Sequence, residues 1–299
     1  MQTHRRRVAG AALMVVALAA LGLAGPAQAK LTGSYTKFAQ CPYTNAEVRK
    51  CIYSVTESGE VVLGSKKVPI EKPVILQGGY GPIIEERGEE EFAKFYAATN
   101  GETLPKAPQN VPGGLAGIVP EASSPPLVKA LIKFFFENSL TGLSSTVELA
   151  KPASEIRVSE IDLAGEIGTA LEMPVKVHLE NPFLGKNCYI GSSSSPITWK
   201  LTTGTTSPPA PNTPITGASG VAEFLEGGRI LVLKGTKLVD NSWSAPTASG
   251  CGGILAFLVN PIINSQLGST TAGHNTAILA GTVNIASAIA VKKNNEENP

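Results

Sequence analysis

Glycine and proline punctuate this chain too densely for long regular elements. Its 299 residues hold 31 glycines and 22 prolines. Both residues end helices and interrupt strands. Between the breaks lie short runs that are apolar at every second position, a spacing that predicts strands more often than helices. Charged residues make up 16% of the chain, below the roughly 25% of an ordinary globular domain. That balance excludes a coiled coil, a polar-faced helix bundle and a charge-rich disordered tail. A core of ordinary size is within reach at this length.

The amino terminus sets the expected compartment. Arg5-Arg6-Arg7 is a positive start, Val8 to Leu23 is an apolar run, and Gly25-Pro26 breaks a helix before Ala27-Gln28-Ala29. These are the three parts of a cleaved secretory signal, in order. At about 16 residues the run is short for a membrane-spanning helix, which needs roughly 20. The mature chain is expected to begin at Lys30 and to be secreted or extracellular. The first 29 residues hold three arginines and no acid; without them 22 basic residues face 24 acidic ones. No basic excess remains to neutralise phosphates, so nucleic acid is not an expected partner.

Four cysteines stand beyond the signal, Cys41, Cys51, Cys188 and Cys251. An even number in an exported chain reads as disulfides. Of three possible pairings, nearness favours Cys41–Cys51, which leaves Cys188–Cys251. The chain-entropy relation gives about 2.7 and about 4.3 kcal/mol for such loops, as upper guides. There is no Cys-x-x-Cys, and no histidine lies near a cysteine in sequence, so a redox or zinc site is not expected.

The mature chain divides into four segments. Residues 30–84 form an amino-terminal β unit that ends at Gly78-Gly79-Tyr80-Gly81-Pro82 and can share a sheet with the main β domain. Residues 85–123 read as an insertion, acidic at Glu85 to Glu91 and then rich in proline and glycine. Residues 124–293 hold a helix and the main β domain, and 294–299 read as a frayed tail. The helix, about 124–140, has Leu127, Val128, Leu131, Ile132 and Phe135 on one face and Lys129, Lys133 and Glu137 on the other. Val175, Val177 and Leu179 alternate with Lys176 and His178. Ile197, Trp199 and Leu201 alternate likewise, and Ile230 to Leu233 reads as a strand buried on both faces. Val283, Ile285, Ile289 and Val291 are expected on one face. Ile254 to Leu267 reads as a short helix broken at Pro261. The fold class expected is mainly β, a sandwich or open barrel with one packed amphipathic helix and long Pro/Gly-rich loops.

The chemistry-bearing residues are sparse. The mature chain holds two histidines. His178 reads as a solvent-facing strand residue and His274 as part of a turn. No Gly-x-Ser-x-Gly elbow surrounds any serine, and Ser192 to Ser195 read as a loop. His-Glu-x-x-His and the phosphate-loop signature are missing, and Gly79-x-Gly81 lacks the third glycine of a dinucleotide fingerprint. Glu160 and Asp162 fall on one side of a presumed strand. Paired carboxylates serve glycoside hydrolysis, but the alternation favours a solvated face. The Glu85 to Glu91 cluster lacks a calcium loop and reads as a solvated turn. The sequence therefore nominates no catalytic, cofactor-binding or metal-ligating residue, and no cofactor.

Asn181-Pro182-Phe183-Leu184-Gly185 before Cys188-Tyr189-Ile190-Gly191, with Thr202 to Pro209, resembles segments of uncharacterised secreted proteins from high-GC Gram-positive bacteria. The likeness covers the second half of the chain and implies export, with no activity attached. The function expected is a secreted, non-enzymatic envelope or extracellular binding or structural protein. Two alternatives are a secreted hydrolase of envelope polymer or glycan and a carrier of apolar ligand. Phe134 lies toward the flank of the helix, where it offers an envelope or apolar-ligand contact.

Export is expected to remove residues 1–29. Mass spectrometry of the secreted protein should find Lys30 first; intact Arg5-Arg6-Arg7 on mature, membrane-bound protein would contradict this.

Overall fold

The computed structural model describes residues 30–138 and 140–298. Residues 1–29, where a cleaved signal is expected, lie outside the described residues. Among the described residues fourteen strands occur: β1 (Lys50–Leu63), β2 (Lys66–Pro69), β3 (Val74–Arg87), β4 (Glu90–Ala97), β5 (Gln109–Val111), β6 (Leu143–Leu149) and β7 (Arg157–Val158), then β8 (Leu171–Glu180), β9 (Tyr189–Ile190), β10 (Ile197–Leu201), β11 (Val221–Leu225), β12 (Ile230–Asp240), β13 (Ala248–Ser249) and β14 (Thr276–Ser287). Four α-helices accompany them: α1 (Pro126–Phe136), α2 (Glu160–Gly165), α3 (Ala256–Leu267) and α4 (Ala288–Glu297). The fold is mainly β.

All the strands belong to one open sheet. Its order is β11-β12-β14-β1-β3-β4-β7-β8-β6-β5, with β9 and β10 also on β8, β13 on β9 and β2 on β1. Every pairing is antiparallel. The sheet bends along a line that crosses three strands. The β1–β14 register slips between Thr56 and Ser58, and the β12–β14 register slips between Lys234 and Thr236, both opposite Gly281. A Cβ on Gly281 would collide with the Val55 carbonyl oxygen, so only glycine lets the strands approach there. Bulges of this kind sharpen twist and curl a sheet. The far strands thereby turn back, and the end of β10 meets β12 where Thr202 and Val239 exchange two backbone hydrogen bonds of 2.9 Å.

The curl creates an inside and an outside, and both carry apolar side chains. On the inner face Leu171, Met173, Val175, Val177 and Leu179 of β8 stand with Ile197, Trp199 and Leu201 of β10, as the alternation predicts. β12 serves both faces: Leu233 and Leu238 point inward, while Ile230 and Val232 join an outer cluster. That cluster is covered by the 3-10 segment Gly33–Phe38, through Tyr35 and Phe38, and by Val291 of α4.

The two disulfides are Cys41–Cys51 and Cys188–Cys251. The first ties the amino-terminal cover to β1. The second ties the residue before β9 to the turn after β13, so that this two-residue strand pair is held covalently as well as by hydrogen bonds.

Several expectations change. The acidic part of the 85–123 segment is the β3–β4 hairpin, inside the sheet. Glu85 accepts from Arg87 and Arg157, and Glu90 accepts from the Thr169 N–H, so these two acids are bonded into the fold, while Glu86 and Glu89 stay exposed at the hairpin. Residues 294–297 continue α4, which Asn294 ties to Thr32; this segment is not frayed. Ile289 consequently leaves the β14 face and is exposed. α3 continues through Pro261, and it packs Ile263 and Leu267 into the core. α1 forms where its spacing predicts, but Leu127, Val128, Leu131, Phe134 and Phe135 are exposed instead of packed on the sheet. Amphipathic spacing shows which face is apolar and leaves open what covers it.

Removing the wide bridge with Cys188→Ser and Cys251→Ser should lower unfolding free energy by about 2–4 kcal/mol, and removing Cys41–Cys51 should cost less. Denaturant unfolding checks this; the reverse order would contradict it.

Candidate functional site

The curled sheet does not fill its own interior. One cavity of about 80 Å³ lies between β1, β2, β5, β6 and β8, walled by Val61, Val68, Val111, Val147 and Val177 among others. A second, of about 50 Å³, adjoins it between β1, β3, β10 and β12. Val61, Ile70, Val74 and Val147 line both. The cause is side-chain length. Sheet faces pack about 10 Å apart, and valine stiffens strands without reaching across that gap.

Of the polar residues in the walls, Gln109 and Trp199 behave oppositely. Gln109 is buried, and its amide is fully spent: it accepts from the Glu71 and Lys72 N–H groups and donates to the Lys72 and Ala107 carbonyls. It shows the first cavity only hydrocarbon. Trp199, 3% exposed, lines the second cavity, and its indole N–H finds no acceptor among the described residues. Trp243, packed edge-on to it, does donate, to the Asp240 carbonyl. A buried donor left unpaired costs about 1–3 kcal/mol, and that cost falls away when a ligand supplies an acceptor.

The wall at one end is built from element termini. Val111 ends β5, Leu143 starts β6 just after α1, and Leu267 ends α3. The cavity thus lies next to the two helices that leave apolar side chains in solvent.

His178 is not solvent-facing. It is 8% exposed, because β9 pairs along β8 and lays Tyr189 over it at 4.4 Å. Its Nε2 donates to the Lys186 carbonyl at 3.1 Å, which turns Nδ1 toward Glu148 at 3.6 Å and Glu180 at 3.7 Å. Lys106 stands 3.0 Å from Glu148, an ion contact whose angle falls short of a hydrogen bond, and Lys176 stands 3.5 Å away. Burial pushes the Glu148 carboxyl up, but the Lys106 and Lys176 ammoniums outweigh it and hold the carboxyl below the usual range. Thr146, opposite His178 in the register, gives its hydroxyl to Glu180. The cluster is packed and lines neither cavity, and His178 Nδ1 and Glu148 Oε1 are buried in it without a hydrogen-bond partner among the described residues.

The remaining sequence candidates fall apart in space. Glu160 and Asp162 sit on α2, not on a strand; Ser159 caps that helix by accepting from the Asp162 N–H. Ser159-Glu160-Ile161-Asp162 is the signal that alternation masked, a cap residue with an acid at the third position after it. Glu160 accepts from the buried Tyr80 hydroxyl at 2.8 Å in an open groove of about 480 Å³ that also holds Lys50 and Glu91. Burial and then the Glu160 charge hold the Tyr80 phenol well above its ordinary value, so it stays a neutral donor. Asp162 is buried apart from Glu160, its carboxyl raised by burial and by Glu90 nearby. His274 meets Thr271 in its turn, 3.2 Å from the hydroxyl. Among the described residues no group of three or more His, Cys, Asp or Glu is arranged to hold a metal ion.

Comparison with protein-family models, with curated proteins and with solved structures finds no match to this chain.

The Glu148 cluster has a pH signature. A carboxyl whose folded pKa is depressed stabilises the fold above its unfolded value and loses that contribution as pH falls through the folded pKa. Melting midpoints taken from pH 7 to pH 3 should therefore fall more steeply below about pH 4.3 for wild type than for Glu148→Gln. Parallel curves would contradict it.

Proposed function

We propose that this chain is an exported, non-enzymatic binding protein of the envelope or extracellular space, and that its ligand is a small apolar molecule. The observation that carries the reading is the pair of adjoining cavities walled mainly by valine, leucine and isoleucine, with Lys66, Gln109 and Ser145 at the first and Ser54, Thr56 and Trp199 at the second. Ligand pockets are concave and mostly apolar with few polar groups. An apolar cavity of about 150 Å³ stays dry and takes benzene, and the two cavities here are together of that order. A larger ligand needs the walls to part. Trp199 adds chemistry: its indole N–H is unpaired and closed off in this fold, and walls that part around a ligand would let it donate to one hydrogen-bond acceptor. The hydrolase reading has less to rest on, since His178 is locked among its own partners and the Tyr80–Glu160 groove contains neither histidine.

Heptane and 2-heptanone make a matched test, being equal in chain length with one carbonyl acceptor added. A ligand at a hundred times its Kd stabilises by about 2.7 kcal/mol, so both should raise the melting midpoint. The ketone should bind about 3- to 10-fold more tightly, the worth of one net hydrogen bond. Trp199→Phe should erase that preference and keep heptane binding, and Val147→Phe should abolish both by filling the shared wall. If neither probe stabilises the protein, the carrier reading fails. Equal affinities would overturn the role of Trp199 alone.

A further inference from the structure

We propose that the end of the molecule formed by α1, the Asn181–Leu184 turn and α3 docks on a lipid bilayer bearing anionic headgroups. The three parts are joined. Asn181 donates its side-chain amide to the Leu140 and Gly142 carbonyls just beyond α1. On the other side, the Gly252 N–H donates to the Leu184 carbonyl at the start of the 3-10 turn that leads into α3. Across this end the large apolar side chains stand in solvent: Ile254 is 96% exposed, Phe257 72%, Phe134 70% and Phe183 65%. Monomeric surfaces scatter single apolar residues, and contiguous sets mark an interaction site.

Charge selects the occupant. No Asp, Glu, Lys or Arg occurs between Asp240 and Lys292, so α3 offers an uncharged surface. α1 carries Lys129 and Lys133 and no acid. Glu137, just beyond it, turns its carboxylate inward to the Gly113 N–H and the Asn110 amide, with the Lys133 ammonium 4.0 Å away, and the Lys129 ammonium donates to the Ala122 carbonyl. An apolar face flanked by lysines matches a bilayer surface, where the side chains enter the acyl boundary and the ammoniums meet anionic headgroups. A protein interface would instead ring its apolar centre with polar groups. Among the described residues no helix is long and apolar enough to cross a membrane, so these helices lie on the bilayer. Leu143 and Leu267 place the cavity wall beside this surface.

Co-sedimentation of the purified protein with phosphatidylcholine vesicles, with and without phosphatidylglycerol, tests the surface. No cavity ligand is added, which separates this outcome from the carrier reading. Wild type should pellet with both vesicle types and more with phosphatidylglycerol. Phe134→Ser with Phe257→Ser should weaken partition about tenfold or more and leave the melting midpoint unchanged, because both residues are exposed. Phe183→Ser with Ile254→Ser is a second pair with the same expected result. Lys129→Gln with Lys133→Gln should lose only the phosphatidylglycerol enhancement. Wild type left in the supernatant, or serine variants that bind as well as wild type, would overturn the proposal. A wild-type dimer in sedimentation analysis that the serine pairs split, without vesicle binding, would overturn it too and assign the surface to a second copy of this chain.

Discussion

The close approach of β1, β14 and β12 along one bend line is the constraint on which the remaining architecture rests. Gly281 is the pivot, since a side chain there would strike the Val55 carbonyl, and the register slips on either side of it curl the sheet. Without the curl, the inner rows of β8 and β10 would have no opposing wall. With it, Leu171 to Leu179 and Ile197 to Leu201 face β1, β3 and β12 across a shared interior. The same geometry explains why that interior is incompletely filled. Valines are good strand residues, and at a fixed spacing between faces they leave room that leucine or phenylalanine would take up.

Outside the curl, the stabilising contacts hold the ends of the chain. The 3-10 segment at Gly33–Phe38 and α4 cover the outer face, joined by the Thr32–Asn294 hydrogen bonds and locked to β1 by Cys41–Cys51. The second disulfide acts where pairing is thinnest, at the two-residue strands β9 and β13. β9 in turn holds Tyr189 over His178. A histidine that alternation assigns to solvent is thus enclosed by a strand too short to be noticed in the sequence.

Legibility tracked the strength of local signals. Both disulfides, β8, β10 and the two-faced β12 were readable because nearness and strict alternation leave few choices. The Glu85 to Glu91 hairpin is hidden in the sequence because its distant partners, Arg157 and Thr169, become neighbours only through folding. α2 is masked in the sequence because Glu160 and Asp162 alternate with Ile161 and Leu163, as in a strand, directly behind a helix cap at Ser159. α1 was found and its surroundings were not, because an amphipathic pattern is silent about which surface covers the apolar face. No motif search finds the cavity. It is an emptiness between valines on β1, β2, β5, β6 and β8, and only the assembled sheet contains it.

The interior is an apolar space that the protein's own side chains leave open. Diffraction from a xenon-pressurised crystal measures this most directly, since xenon enters dry apolar cavities. A xenon peak is predicted between Val61, Val74 and Val147, at the wall the two cavities share. Ordered water at that place, or side chains repacked to close it, would contradict an open apolar interior.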